Sequence, residues 1–346
     1  MMQFQLFLKF FLSFLTAFYI LPSIIRISNH YGIHDLPDER KNHQIPVPFL
    51  GGLAIFIAFH LTQHINFMLN IPAPGYKEIL GFFMAANFLI GLGDDFFDYR
   101  PNRKFLVQFM VSSTLIYVAD FTLPFEQLIP LLHYIPFSNN ILTFIVVIAI
   151  INAINLIDGL DGLAASLVLI SSGIYIIIFY VENNLYFLSM AISLSGALIG
   201  FLIYNRPKAM IYMGDSGSFL IGSITAILTL VFIANGNPET ISIKNRFQIG
   251  FAIIAIPAMD LIRLFLWRII MKKSPFVGDN LHLHHLFLGN GFSVKQTLAT
   301  IILLQLIIFL ASIFFQGEGT FFPFLLTTCT IYIGIIWYLK SKRITG

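Results

Sequence analysis

Four short segments gather the residue types that handle phosphates and cations. The first is Gly93-Asp94-Asp95-Phe96-Phe97-Asp98, followed by Arg100, Arg103 and Lys104. Read as helix, it puts Asp98 one turn beyond Asp94 and Asp95, so three carboxylates share a face at a span end. Adjacent carboxylates repel unless a cation is near. The group could bind a divalent metal, act as a base or pair with the neighbouring basic residues; an exposed turn with local salt bridges is the plainer alternative. The second segment, Asn152 to Gly162, carries Asn152, Asn155, Asp158 and Asp161 at every third position, with Gly159 and Gly162 between and after them. That spacing predicts one polar stripe along a helix. Helix capping would account for one such residue, not four, and four at the end of an apolar span are costly in lipid.

The third segment is Tyr212-Met213-Gly214-Asp215-Ser216-Gly217-Ser218, just ahead of a long apolar run. Asp215 or Ser216 could cap the next helix through its backbone amides. The functional alternative is a metal-binding carboxylate beside amides that face phosphate oxygens. The fourth, Asp279-Asn280-Leu281-His282-Leu283-His284-His285, brings three histidines within four residues. Cys329 is the one cysteine, so any zinc site would need histidine and carboxylate ligands alone. The hard oxygen donors of the other segments suit magnesium better, and the histidines read as phosphate contacts. A further loop holds Asp38-Glu39-Arg40-Lys41-Asn42-His43, then Pro46, Pro48, Gly51 and Gly52. Its charges read as a solvated face, and its prolines and glycines as a fixed turn entering the next span. His30, His34, His60, His64 and His133 stand alone and are given no role.

The elements that position these segments are membrane helices. Apolar runs of the length a bilayer requires occur at about 4–25, 49–69, 77–93, 104–120, 139–156, 163–182, 186–204, 217–235, 247–267, 296–315 and 320–339. The reading is an all-α polytopic protein of about eleven spans, one domain over residues 1–346. No repeat or soluble block interrupts it. The first run contains Lys9, is too long for a signal peptide and lacks a small-residue cleavage site.

Composition agrees. Of 346 residues, 57% are hydrophobic and 11% charged, against about 25% charged in soluble domains; that excludes a soluble enzyme and a disordered or fibrous chain. A net charge of +3 is too small to argue for nucleic acid. Loops after odd-numbered spans carry fifteen lysines and arginines, against four on the other side. The positive-inside rule then makes the first side cytoplasmic, the N-terminus outside and the C-terminus cytoplasmic. Asp35, Asp94, Asp95, Asp98, Asp158, Asp161, Asp215 and Asp279 all fall on that same side. Loops 26–48, 94–104, 155–162, 205–216 and 268–295 therefore bring carboxylates, amides and imidazoles to one face. A cytoplasmic diphosphate substrate with a lipid partner in the membrane fits this inventory. An ion-coupled transporter is the contrasting reading, but its sites lie near the midplane on broken helices, usually with internal repeats.

These motifs, in this order, resemble the polyprenyl-phosphate N-acetylhexosamine-1-phosphate transferases (glycosyltransferase family 4). The matching stretches are Asp94-Asp95 with Asp98 and Lys104, Asn152 to Gly162, Gly214-Asp215-Ser216-Gly217-Ser218, His282-Leu283-His284-His285, and Arg40 to Gly52. The His-x-His-His form resembles the bacterial branch that uses UDP-GlcNAc, whereas the muramoyl-pentapeptide branch carries three consecutive histidines. One departure is Asn280, where an arginine is expected. The resemblance implies transfer of GlcNAc-1-phosphate from UDP-GlcNAc to undecaprenyl phosphate in a bacterial cytoplasmic membrane, with release of UMP. That step starts a teichoic acid, O-antigen or related envelope glycan. Another UDP-N-acetylhexosamine, or the pentapeptide reaction, is the rival within the class.

The resemblance also implies Mg2+ (or Mn2+) on Asp215 and Asn155. Lys104, His282, His284 and His285 would meet the diphosphate and sugar. Tyr212 would stack on uracil, with Asp158 and Asp161 at the uridine. Asp94 is the expected base and Asp95 its companion on the attacking phosphate, with Asp98, Asn152 and Gly214 in support. Whether the chain forms a homodimer is left open.

Overall fold

The computed structural model describes residues 2–35, 46–66, 68–236, 241–274, 281–317 and 319–345. The chain is all-α. Thirteen helices are seen among the described residues: α1 Met2–Tyr31, α2 Gly51–His64, α3 Lys77–Phe97, α4 Pro101–Tyr117, α5 Ser138–Ile157, α6 Leu163–Val181, α7 Leu185–Asn205, α8 Gly214–Asn235, α9 Ile243–Ile253, α10 Ala255–Ile270, α11 Leu283–Gly289, α12 Val294–Phe314 and α13 Phe321–Thr345. One two-residue ladder accompanies them, β1 His34–Asp35 antiparallel to β2 Val47–Pro48, with His34 opposite Pro48.

The helices are arranged by how much lipid each can meet. In α8, 94% of the most apolar stretch is buried, and in α7 78% is. Small residues on α8 (Gly217, Ser218, Gly222, Ser223, Ala226) let α3, α5 and α2 pack against it closely. In α1, α12 and α13 only 22–28% of that stretch is buried, and their exposed Phe4, Leu303 and Trp337 belong in hydrocarbon. The carboxylate-bearing segments follow α3, α5 and α7 or precede α2 and α8, and the fold gathers them around one cleft.

Each of the eleven expected runs falls on a helix, but they are not all equivalent. Among the described residues eight helices are long and apolar enough to cross a membrane. The ninth run, expected as one continuous span, is instead α9 and α10 bent by 81°. Helices α2 and α4 have 14 and 17 residues. At about 1.5 Å per residue they fall short of a hydrocarbon core of about 30 Å. Length and composition among the described residues thus support eight spanning helices, or nine with the bent pair.

The bend has a local cause and a distant partner. Pro257 has no N–H to give the Ile253 carbonyl one turn back. Gln305 of α12 fills the gap: its Nε2 donates to the carbonyls of Ala252 and Ile253 at 2.6 and 3.0 Å, and its Oε1 accepts the Ile256 N–H at 3.0 Å. Ser171 of α6 adds a donor to Ile253 at 2.9 Å. A lipid interior permits broken backbone only where protein groups satisfy it in this way.

Gln305→Leu should therefore lower stability by about 1–2 kcal/mol, read as a depressed thermal midpoint in detergent. Leu303→Ala, on the exposed side of the same helix, should move it by less than about 0.5 kcal/mol. Equal effects would remove Gln305 from this role.

Candidate active site

The site is organised at the first turn of α8. A helix start leaves backbone amides without partners, and here the acceptor comes from another helix. Asp95, near the end of α3, accepts the Asp215 N–H on Oδ1 at 2.6 Å and the Ser216 N–H on Oδ2 at 3.0 Å. Neither Asp215 nor Ser216 caps its own helix. Gly214 makes the approach possible. Its φ is +73°, and a Cβ there would lie 2.4 Å from the Phe49 carbonyl oxygen and 2.7 Å from an Asp95 oxygen. Next to it the chain before α8 is stitched to the chain before α2: Tyr212 N–H to Pro48 O at 2.7 Å, Gly51 N–H to Tyr212 O at 2.9 Å, and Gly52 N–H to Met213 O at 2.8 Å.

Asp94 points elsewhere. It is 6% exposed, accepts the Tyr99 N–H at 2.8 Å and is ion-paired to Lys104, whose Nζ also lies 3.6 Å from Asp215. The helix stops at Phe97, and Asp98 takes a left-handed conformation with φ 45°. The three carboxylates expected on one helical face are therefore split: Asp94 sits behind with Lys104, while Asp95 and Asp98 line the cleft. The stripe expected from Asn152 to Asp161 is split as well, because α5 ends at Ile157. Asn152 donates to Gln108 of α4 at 3.0 Å, away from the cleft. Asn155 donates to Asp215 Oδ1 at 2.8 Å and Ser218 Oγ at 2.9 Å, which leaves its amide oxygen for a ligand. One oxygen of Asp161 holds the Lys208 and Ala209 amides at 3.0 and 3.1 Å.

These groups wall a cleft of about 720 Å³, lined by Asp95, Asp98, Asn155, Asp158, Asp161, Tyr212, Asp215 and His285. Carboxyl groups crowd it. Burial, then the charges of Asp215, Asp95 and Asp161, push the Asp158 acid well above the usual carboxylate range. Burial, then the charges of Asp161, Asp35 and Asp158, push the Tyr212 phenol up. Among the described residues no three His, Cys, Asp or Glu side chains could hold a metal by themselves. The Asp215 carboxylate and Asn155 amide oxygen, in a carboxyl-rich cleft, fit a hard divalent cation that takes its remaining ligands from phosphates and water.

The three histidines of the fourth segment separate. His285 lines the cleft. His284 is 1% exposed, and its ring packs on Gly159, where a Cβ would lie 2.6 Å from Nε2. Neither His284 nitrogen has a hydrogen-bond partner among the described residues. Burial, with His285 and His282 beside it, pushes its pKa down to about 3, so it is uncharged at neutral pH. His282 is held behind by Asp260, a residue that sequence reasoning missed together with Arg263. Two charges three residues apart inside an apolar run are a usable signal. Asn205 was missed too; it accepts the Gly162 N–H at 2.9 Å and donates to Ile211 O at 2.8 Å. Arg40, Lys41, His43, Asp279 and Asn280 lie outside the described residues.

Two outcomes follow from this geometry. Removing the cap with Asp95→Ala should cost about 1–2 kcal/mol in thermal unfolding, whereas Asp98→Ala, at an exposed turn, should cost less than about 0.5 kcal/mol; the reverse order would contradict the cap. For His284, the unfolded ring binds a proton below pH 6.5 and the native ring refuses it down to about 3. Its contribution to stability is complete above about 6.5 and is lost as pH falls toward 3. His284→Asn should flatten the fall in thermal midpoint between pH 7 and 5; an unchanged slope would mean the ring is not held neutral.

Comparison with known proteins agrees with the motifs. The glycosyl transferase family 4 model matches residues 78–233. The chain is 30% identical to the probable undecaprenyl-phosphate N-acetylglucosaminyl 1-phosphate transferase of Bacillus subtilis, over 97% of this chain and 91% of that one. It is 32% identical to the undecaprenyl-phosphate alpha-N-acetylglucosaminyl 1-phosphate transferase of Haemophilus influenzae, over 84% and 81%. It is 30% identical to the decaprenyl-phosphate N-acetylglucosaminephosphotransferase of Mycobacterium tuberculosis, over 85% and 79%.

Proposed function

The chain belongs to glycosyl transferase family 4, and from that premise we propose that it transfers GlcNAc-1-phosphate from UDP-GlcNAc to undecaprenyl phosphate, releasing UMP. The observation that carries this reading is the carboxylate-rich cleft at the start of α8, at one end of a lipid-facing bundle. A water-soluble diphosphate and a membrane-bound acceptor meet naturally at such a boundary. The names of relatives about 30% identical over most of the chain support the substrates. We place the cleft on the cytoplasmic face of a bacterial inner membrane, where the basic loops point, and the product at the start of an envelope glycan.

The reaction forms a bond from a lipid phosphate oxygen to the β-phosphorus and breaks the bond from that phosphorus to the UMP oxygen. Such transfers depend on positioning and on neutralising phosphoryl charge. Magnesium held by Asp215 and Asn155 would supply Lewis-acid polarisation of the diphosphate. Lys104, placed by its pairing with Asp94, brings a fixed positive charge next to Asp215, and His285 faces the same cleft. Tyr212 is the proposed stacking surface for uracil, with Asp158 and the second oxygen of Asp161 near the uridine. The base role expected for Asp94 would require it first to shed Lys104. A phosphate monoester has its second pKa near 6, so much of the attacking group is already a dianion at pH 7. The geometry therefore favours Asp94 as the residue that sets Lys104.

Membranes carrying the chain should convert undecaprenyl phosphate and radiolabelled UDP-GlcNAc to the lipid-linked diphosphate sugar and UMP, only with magnesium. Asp215→Asn should cut turnover about 10²- to 10³-fold. Tyr212→Ala should raise the KM for UDP-GlcNAc about tenfold with little change for the lipid. Label entering lipid only from another UDP-sugar would overturn the substrate, and normal turnover of Asp215→Asn would overturn the metal site.

A further inference from the structure

A densely hydrogen-bonded buried charge lies outside the cleft. Asp260, on α10, is 2% exposed and gathers four donors from three elements. Its Oδ1 accepts Arg263 Nη2 at 2.7 Å, the Tyr332 hydroxyl of α13 at 2.8 Å and the Leu283 N–H at the start of α11 at 3.2 Å. Its Oδ2 accepts His282 Nδ1 at 2.8 Å. Arg263 also donates to the Leu281 carbonyl at 2.6 Å. The chain entering α11 is thus fixed on both sides of His282.

We propose that Asp260 is a positioning residue for the transfer reaction, acting through His282. The proposal rests on the functional reading above. A carboxylate accepts only, so Nδ1 of His282 must carry hydrogen, and Nε2 is left as the second functional nitrogen of the ring. The His282 ring stacks on His284, centroids 5.8 Å apart and 14° between planes. His284 in turn contacts His285 at 4.3 Å and rests on Gly159 at the cleft wall. Asp260 therefore sets both the tautomer of the first histidine and the seat of the imidazole row that ends in the cleft. One carboxylate oxygen serves His282 alone, whereas the other holds the scaffold. The two duties can be separated by mutation.

Asp260→Asn presents an amide donor where Nδ1–H now donates, reversing the tautomer while keeping the shape. Turnover should fall about 10- to 100-fold, the range seen when an outer partner orients an active-site ligand. Tyr332→Phe removes a donor only from the scaffold oxygen, and should lose less than about threefold. In a His282→Ala background Asp260→Asn should add less than about twofold, because the group it acts through is gone. Additive losses, or equal losses for Asp260→Asn and Tyr332→Phe, would reduce Asp260 to general packing. Nitrogen-15 histidine spectra of the wild-type protein, with His282 assigned by its loss in His282→Ala, test the same point without activity: Nδ1–H is expected, and Nε2–H alone would overturn the proposal. If the wild type uses another UDP-sugar, the cycle is run on that sugar; the substrate reading then fails while the proposal for Asp260 is still decided.

Discussion

The start of α8 is the point on which this structure turns. A helix buried along most of its length begins with amides that neither lipid nor its own residues can satisfy, and Asp95 meets two of them from α3. That cross-helix cap ties the ends of α3 and α8 together. The contact is close enough to demand glycine at position 214, and it sets Asp215 beside Lys104 and Asn155. The positive end of the helix dipole then lies beside the carboxylate-lined cleft. The backbone amides that the helix start exposes are satisfied by Asp95 at the wall of the cleft.

The second constraint is charge. Asp95, Asp98, Asp158, Asp161 and Asp215 all line the cleft, and burial, then the neighbouring carboxylates, raises the Asp158 acid. Lys104 is shared between Asp94 and Asp215 and cannot balance the rest. In the proposed reading a divalent cation would offset this crowding, and a diphosphate brought with it would complete the coordination. Outside the cleft, His282 is held by Asp260.

Much of this was legible in the sequence because hydropathy reports directly on contact with lipid. Every expected apolar run falls on helix, the ninth on the bent α9–α10 pair, and the distant motifs meet in one cleft. Periodicity failed where helices stop: Asp98 and Asp158 lie just past their helix ends, so spacing of three or four residues no longer defines a face. The break between α9 and α10 had a local hint in Pro257, but the Gln305 that makes it tolerable is 48 residues further along. Asp260 was passed over because its partners His282 and Tyr332 lie in other elements. Such partnerships are properties of packing, and no local pattern encodes them.

The central claim is that the Asp215 carboxylate and Asn155 amide form half of a cation site that the nucleotide diphosphate completes. Electron paramagnetic resonance of Mn2+ with the purified protein addresses this directly. Mn2+ should bind weakly alone and tightly with UDP-GlcNAc, showing coupling to phosphorus, and Asp215→Asn should abolish the tight site. Tight binding without nucleotide, or an unchanged signal in Asp215→Asn, would contradict the account.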